Sequence, residues 1–416
     1  MNKTEYCSRF FCFGTAPRVC YNVFMAREIK FPDGFFWGSA TSAYQVEGGI
    51  DNNDWAEAAR QGKVPPAGRA CDHYNLYEKD FDIAKALGQN AYHFSIEWAR
   101  IEPEEGKFDE TEIEHYRKVL KALQERGIEP FVTLWHFTLP VWFAHMGGFE
   151  NKKAPFYFSR YCEYVVKNLG QGSGTPKFWI TINEPMVFAD LGYLKGNWLP
   201  FKKWHYPLSL FRYFKVIKNM ATSHNISYQK IKSIRPDGLV GIATHNVNFE
   251  SNHNPFNYLL AKFLIWLQNH RFLRKIEDRQ DFIGLNYYFY KKFGDNNVHD
   301  KSDMGWSIYP KGIYNVLMEL KRYHKPVYVT ENGIADAKDV KRAKFIKEHL
   351  YWVKRAIDDR IDIRGYFYWS LLDNYEWADG FEPKFGLVEV DYETMERRIR
   401  PSAYEYKKIC ENNSLI

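Results

Sequence analysis

The sequence lacks the features that would hold a protein within a membrane, on nucleic acid or in a disulfide framework. No apolar run reaches the roughly 18 uncharged residues of a membrane-spanning helix. The net charge is +6, but charges of both signs are interspersed and no basic block resembles a nucleic-acid tail. The six cysteines fit neither disulfide nor metal-ligand spacing. We therefore expect no nucleic-acid partner, no metal and a reducing, cytoplasmic location.

The two ends of the chain differ from the rest. "FFCFGTAP", near the start, is too short and too interrupted for a signal-peptide core. We expect residues 1–27 to be an N-terminal extension, either disordered or a start-site artefact, and residues 411–416 to be a C-terminal tail. No repeat, low-complexity stretch or linker divides residues 28–410, which indicates one domain.

Aromatic residues are abundant, at 18% of the chain. They could fill a rich core or line a deep cleft, where rings stack on the CH faces of sugars. Composition leaves both interpretations open.

Short apolar runs alternate with charged, helical stretches after residue 30. Eight runs read as strands: 35–42, 91–98, 129–137, 177–185, 239–246, 281–288, 326–333 and 363–374. Helical stretches precede the third and the eighth run. This alternation predicts a parallel sheet, and eight units predict a single (β/α)₈ TIM barrel.

Polar residues end nearly every predicted strand, and in such barrels that end carries the chemistry. Any one of them could be a helix cap or a loop group. Glu184 and Glu331 close runs four and seven, which face each other across a barrel mouth. Two carboxylates that flank a bond suit glycoside hydrolysis. A structural ion pair remains the alternative for either glutamate alone.

Four motifs, in order, give the chain a family resemblance. "TINEP" and "YVTENG" resemble the acid/base and nucleophile motifs of family 1 glycoside hydrolases, the β-glucosidase and β-galactosidase family. "FPDGFFWGSATSAYQVEGG" resembles the N-terminal signature of that family, and "YFYWSLLDNYEWADGF" its sugar-binding strand and loop. The resemblance runs from about residue 30 to about residue 408, and the chain, which is shorter than most members, resembles the compact archaeal-type branch.

The resemblance implies a retaining β-glycosidase that passes through a covalent glycosyl-enzyme. A β-glucosidase, with β-galactosidase and β-fucosidase activity as additions, is the expected form. Glu331 would be the nucleophile and Glu184 the acid/base. Tyr288 and position 93 would surround the nucleophile. The expected sugar contacts are Gln45, His136, Asn183, Asn286, Tyr288, Trp369, Glu376, Trp377 and Phe385.

The resemblance also bears on partners and specificity. It implies no cofactor and a small-molecule β-glycoside or oligosaccharide as substrate, and it leaves a homo-oligomer open. A carboxylate at Glu376 would bond the 4- and 6-hydroxyls of a plain hexose and would repel a 6-phosphate. The leaving-group side is expected to depend on loops around 190–210, 245–256 and 290–310.

His93 departs from the family pattern, which has arginine in a stretch otherwise like "YRFSIEW". The missing charge allows three outcomes: a protonated His93 held by Glu331, a neutral donor with weaker activity, or compensation by another cation. We expect a slower enzyme whose activity declines as His93 loses its proton. A transglycosylase with the same intermediate, and a weakly active or inactive carbohydrate-binding pseudoenzyme, are the alternative functions.

Residues 256–273, "FNYLLAKFLIWLQNHRFL", are aromatic, basic and helix-like. A role at a membrane surface is conceivable. The family has a buried barrel helix near this place, so we expect core packing and no membrane association.

Overall fold

Eight parallel strands form a closed barrel in the computed structural model, which describes residues 28–170, 175–202, 204–294 and 299–415. The expectation for residues 1–27 lies outside the described residues. Each strand pairs with the next in the chain, and β8 returns to pair with β1. The strands are β1 (Phe36–Ala40), β2 (Ala91–Ser95), β3 (Glu129–Thr133), β4 (Phe178–Asn183), β5 (Leu239–His245), β6 (Phe282–Asn286), β7 (Val327–Asn332) and β8 (Ile363–Trp369). The predicted fold and all eight runs are confirmed.

Helices surround the barrel and connect its strands. They are α1 (Ala43–Val46), α2 (Asp54–Arg60), α3 (His73–Ala86), α4 (Trp98–Ile101), α5 (Glu110–Glu125), α6 (Val141–His145), α7 (Ala154–Leu169), α8 (Pro185–Ala189), α9 (Leu208–Ile234), α10 (Pro255–Leu264), α11 (Leu273–Ile276), α12 (Lys311–Leu320), α13 (Arg342–Asp358) and α14 (Pro401–Asn412). α5 and α13 confirm the two helical stretches predicted before the third and the eighth strand. One π-helical segment, Asp190–Lys195, follows α8, and another, Ile265–His270, continues α10.

Two short strand pairs lie outside the barrel near its mouth. Asn248–Ser251 pairs in parallel with Tyr290–Phe293, and Val388–Val390 pairs antiparallel with Arg397–Ile399. These pairs stiffen the long connections that follow β5, β6 and β8.

Aromatic rings close the amino-terminal end of the barrel. Phe131 and Phe178 stack with ring centroids 4.0 Å apart, and Phe36, Phe282 and Tyr328 pack edge-on or tilted around them. Successive strand residues point to opposite faces, so the inward residues further along the strands form the next layers. Those layers become polar toward the carboxyl ends of the strands. The barrel interior is therefore aromatic at its amino-terminal end and polar at its carboxyl end.

The second strand has the two faces that its sequence suggests. Tyr92 lies outward against Phe81 of α3, whereas His93 is buried inside the barrel. The strand is shorter than the run, because it ends at Ser95. Glu97 instead caps α4, accepting a hydrogen bond from the backbone N–H of Ala99 at 3.2 Å.

The carboxyl end of the chain is integrated into the fold. Residues 411 and 412 complete α14, and Ser414–Leu415 pairs antiparallel with Ile29–Lys30. The Asn413 side chain accepts a hydrogen bond from the Trp37 indole at 2.9 Å. These residues, expected to form a tail, close the amino-terminal side of the molecule.

The first part of the stretch 256–273 lies at the surface, which corrects the expectation of core packing there, whereas Phe272 and Leu273 at its end are buried in the core as expected. Ala261 is buried in α10, whereas Phe256, Leu259 and Phe263 are more than half exposed. Apolar residues occur on most sides of this helix, and the barrel covers only one side.

A membrane-crossing helix, judged by length and hydropathy, was found nowhere in the described ranges. Of the six cysteines, the structure describes Cys71, Cys162 and Cys410, and all three are buried free thiols.

Candidate active site

A cavity of about 380 Å³ opens at the carboxyl end of the barrel. Ten of the residues singled out from the sequence line it: Gln45, His136, Asn183, Glu184, Tyr288, Glu331, Trp369, Glu376, Trp377 and Phe385. They come from strands β4, β7 and β8 and from the segments after β1, β3, β4, β6 and β8. Asn286 and His93 lie beneath the cavity and do not line it.

Glu184 stands at the turn between β4 and α8. Its backbone has a left-handed conformation with φ 45°, which costs a non-glycine residue roughly 1–2 kcal/mol. The backbone N–H of Glu184 donates to the carbonyl of Ala243 at 2.8 Å, and Pro185 begins the helix. Strain of this kind persists where the surroundings hold it and gathers at functional positions.

Glu331 lies near the end of β7, and one of its carboxylate oxygens has a protein partner. The Tyr288 hydroxyl donates to Oε2 at 2.9 Å, while Oε1 has no hydrogen-bond partner within the described ranges. Buried acceptors are almost always satisfied. Oε1 is therefore open to a ligand or to water from the cavity.

Asn286 links the two carboxyl regions from below. Its amide donates to Oε1 of Glu184 at 2.8 Å and to Oδ1 of Asn183 at 3.1 Å, and its own oxygen accepts from the Thr330 hydroxyl at 2.7 Å. All its polar atoms are thus engaged with protein. The sequence placed Asn286 among sugar contacts, and the structure places it where it positions Asn183 and Glu184.

Burial raises the pKa of both glutamates. Glu184 has a pKa of about 7, with desolvation as the main cause. For Glu331, desolvation and then the charge of Glu184 raise the pKa well above its usual range. Two neighbouring buried carboxyls do not both ionise readily, so the pair retains one proton near neutral pH.

His136 is held in one orientation by two indole rings and an amide. Its ring lies within 18° of parallel to both Trp369 and Trp377, with centroids about 6 Å away. The Asn183 amide donates to Nε2 at 3.2 Å. Burial lowers the pKa of His136 well below its usual value, so the ring is neutral and carries its proton on Nδ1. Nδ1 has no protein partner among the described residues, which makes it a free donor in the cavity.

Gln45 and Glu376 form a polar corner of the cavity. The Gln45 amide donates to Oδ1 of Asn374 at 3.0 Å, to the Tyr375 carbonyl at 2.8 Å and to Oε2 of Glu376 at 3.5 Å. Burial, with the charges of Asp379 and Glu184, raises the pKa of Glu376 to about 8. The corner thus presents a carboxyl group that is fixed by neighbours and readily protonated.

His93 lies below the cavity, and both of its ring nitrogens bond residues other than Glu331. One ring nitrogen is 2.6 Å from the Thr133 hydroxyl, and the other is 3.2 Å from the carbonyl of Thr330, the residue before the nucleophile candidate. Burial lowers the pKa of His93 to about 4. The imidazole is therefore neutral near neutral pH. The structure does not support the expectation that activity declines as His93 loses its proton.

The described lining of the cavity supplies no other cation in place of the missing charge. Among the described residues that line the cavity, none is lysine or arginine. Of the three outcomes for position 93, the neutral donor fits the structure.

The outer part of the cavity is apolar, and sequence reasoning located it only as loops. Val187, Leu191, Phe289, Met304 and Trp306 line this part. The rings of Phe289 and Trp306 lie 4.5 Å apart. Leu191, His245 and the 304–306 stretch fall in the three expected regions, one in each, but no local motif marks the individual side chains. His245, also in the lining, has both ring nitrogens without a partner in the described structure.

Comparisons with known proteins agree with this geometry. The family model described as "Glycosyl hydrolase family 1" matches residues 27–259 and 289–415. The chain is 33% identical to a 1,4-β-D-glucan glucohydrolase of Thermotoga neapolitana, over 93% of this chain and 99% of that protein. It is similar to the structure of a β-glycosidase from Pyrococcus horikoshii (40% identity, TM-score 0.87, covering 94% of this chain and 97% of that one). A β-glucosidase from Thermotoga maritima in complex with noeuromycin is also similar (32% identity, TM-score 0.86, 93% and 100% coverage).

Proposed function

The chain belongs to glycosyl hydrolase family 1 and is a β-glycosidase, and we propose that it hydrolyses unphosphorylated β-glucosides by double displacement. Glu331 is the proposed nucleophile and Glu184 the proposed acid/base. The observation that carries these roles is the buried carboxyl pair in one cavity, with Oε1 of Glu331 unpartnered.

In the first step, an oxygen of Glu331 bonds to the anomeric carbon while Glu184 gives its proton to the departing oxygen. The pair holds the single proton that this step needs. Tyr288 donates to the Glu331 carboxylate and so favours ionisation there. In the second step, Glu184 takes a proton from water, whose oxygen displaces Glu331 and releases the sugar with retained stereochemistry.

The polar corner supports glucose as the bound sugar. His136 offers a donor at Nδ1, and Gln45 and Glu376 offer polar atoms on the same side. Asn183 lies beside Glu184, where it can hold a 2-hydroxyl. A phosphate on the sugar would meet Glu376 and Asp379 without a lining lysine or arginine in the described cavity, which disfavours phosphorylated substrates. β-Galactosides and β-fucosides are proposed as further substrates.

A panel of aryl β-glycosides tests the proposal. The wild type should turn over the glucoside, and the product should first appear as the β-anomer in ¹H NMR. Glu331→Gln should lose at least about 10⁴-fold in kcat, because the covalent step is blocked. Glu184→Gln should lose about 10²–10⁴-fold with a poor leaving group and far less with a dinitrophenolate, which needs no proton. Glu411→Gln, at the surface, is the matched control.

Two results would contradict these assignments. Turnover that survives Glu331→Gln would remove Glu331 as nucleophile. An α-anomer as first product would remove the double displacement.

A cytoplasmic location is also proposed. The three buried free thiols fit a cytoplasmic location. A homo-oligomer remains open, and sedimentation velocity would measure it. Neither transglycosylation nor a pseudoenzyme is favoured by a feature of the cavity. Product analysis with an added alcohol measures the share of transfer.

A further inference from the structure

An apolar surface, here called the aromatic patch, covers the outside of the barrel at α9 and α10. The described chain has fourteen large hydrophobic side chains that are exposed, and ten of them lie in two short stretches. The ten are Trp204, Tyr206, Leu208, Phe211, Phe214, Phe256, Tyr258, Leu259, Phe263 and Trp266. Single exposed hydrophobic residues are ordinary, but a concentration of this kind marks an interaction surface.

The two stretches form one surface. The Arg271 guanidinium lies 4.0 Å from the ring centroid of Phe214 on α9 and 5.4 Å from that of Trp266, in the π segment after α10. The rings of Phe263 and Trp266 are 6.0 Å apart. Arg271 therefore joins the apolar side chains of both helices.

The two stretches that carry the aromatic patch are basic in sequence, although Glu150, from outside them, lies 3.4 Å from Arg212. Residues 200–218 contain five lysines and arginines, residues 251–276 contain four, and neither stretch contains an aspartate or glutamate. The whole chain has 51 acidic residues in 416, so two stretches this long would ordinarily include several. Aromatic and aliphatic side chains beside Lys and Arg are the composition of helices that lie in a membrane interface.

The aromatic patch is near the catalytic end of the barrel. α9 follows β4 and α10 follows β5, so both helices begin at the end where the strands carry the active site. Leu208 and Phe211 are in the first turn of α9, and Phe256 and Leu259 are in the first turns of α10. Two members of the aromatic patch, Phe263 and Trp266, lie in residues 260–288, which the family model does not match.

We propose that the aromatic patch docks on the surface of a lipid bilayer that contains anionic headgroups. The apolar side chains enter the boundary between headgroups and acyl chains, and the surrounding lysines and arginines contact phosphates. A second copy of the chain fits less well, because an isologous contact would bring two basic surfaces together. This interaction is separate from the hydrolytic step and revises the expectation of no membrane association.

Vesicle co-sedimentation of the full chain tests this proposal. The vesicles are phosphatidylcholine alone and phosphatidylcholine with phosphatidylglycerol, at low and high salt. The apolar variant combines Phe211→Ser, Phe256→Ser and Leu259→Ser, and its matched control combines Phe156→Ser, Val340→Ser and Tyr404→Ser, which are exposed elsewhere. The charge variant combines Lys218→Glu, Lys262→Glu and Lys275→Glu, and its control combines Lys79→Glu, Lys121→Glu and Lys338→Glu.

The wild type and both controls should bind the anionic vesicles, more weakly at high salt. The apolar variant and the charge variant should each bind more than about tenfold more weakly. Unchanged thermal unfolding and aryl glucosidase activity would show that the variants fold. The residues before 28 are the same in every protein, so they cannot cause a difference between a variant and its control.

Three results would overturn the proposal. The wild type could fail to sediment with anionic vesicles at low salt, or the apolar variant could bind as the wild type does. The wild type could also form a dimer that the apolar variant dissolves, without vesicle binding, and the aromatic patch would then be an interface between copies.

Discussion

Replacing His93 with arginine should restore a positive charge beneath the nucleophile. The His93 imidazole is neutral, and one of its nitrogens lies 3.2 Å from the carbonyl of Thr330, next to Glu331 in the chain. The arginine side chain is longer and reaches beyond the position of the imidazole, toward the cavity. Its guanidinium stays charged at any working pH.

The expected shift follows from the charge that is added. A cation within about 4–6 Å lowers the pKa of a carboxyl group by about 1–3. Hydrolysis needs Glu331 ionised, so activity falls as the pH drops below the pKa that governs its ionisation. A lower pKa therefore moves the acid limb of kcat/KM to lower pH. At a fixed pH on that limb, kcat/KM should rise about 10- to 1000-fold.

The assay is the pH dependence of kcat/KM on an aryl β-glucoside for wild type, His93→Arg and His93→Gln. The glutamine variant is the control, because it keeps hydrogen-bonding capacity and, like the neutral imidazole, has no charge. Its profile should match that of the wild type. An unmoved acid limb in His93→Arg, with normal thermal unfolding, would refute the reasoning. A limb lost in His93→Gln would show instead that the histidine itself titrates.

Three further outcomes are expected. Tyr288→Phe removes the hydroxyl donated to Glu331 at 2.9 Å, so the acid limb should move to higher pH by about 1; an unmoved profile would contradict this role. Glu376→Ala should lower kcat/KM about 10- to 100-fold on a β-glucoside and less on a β-fucoside, which has no 6-hydroxyl; equal losses would contradict a 6-hydroxyl contact. Asp80→Asn leaves buried Arg397 without its charged partner, so the free energy of unfolding in urea should fall by about 3–5 kcal/mol. A loss under about 1 kcal/mol would contradict the idea that this buried ion pair stabilises the fold.

The barrel and the two glutamates were predictable because their signals are local. Each strand is a short apolar run, and Glu184 and Glu331 stand inside motifs at the ends of two such runs. The position of the carboxyl end of each strand then follows from the fold alone.

The ionisation of His93 was not predictable, because it depends on residues distant in sequence. Thr133 and Thr330 come from β3 and β7, and they bond both nitrogens of the buried His93 ring. The lining of the leaving-group side was not predictable for the same reason. Leu191, Phe289 and Trp306 reach one surface from three separate segments of the chain.

The exposure of α10 was not predictable from its amino-acid composition. A helix with apolar residues on most sides usually lies in a core. Phe256 and Leu259 are nevertheless 72% and 64% exposed, because the barrel beside α10 is already closed and covers one side of the helix only. Sequence shows that such a helix seeks an apolar environment, but it does not show whether protein supplies that environment.

The net charge of +6 conceals two surfaces of opposite character. The cavity holds the carboxyl groups of Glu184, Glu331 and Glu376 and has no lysine or arginine in its described lining, so it disfavours anionic sugars. The aromatic patch is framed by lysines and arginines that attract anionic lipid. Salt screens exposed charges much more than buried ones. Raising the ionic strength should therefore weaken vesicle binding while leaving kcat/KM on a neutral aryl glucoside nearly constant. Equal salt sensitivity of both measurements would mean that the charges of the two surfaces do not act separately.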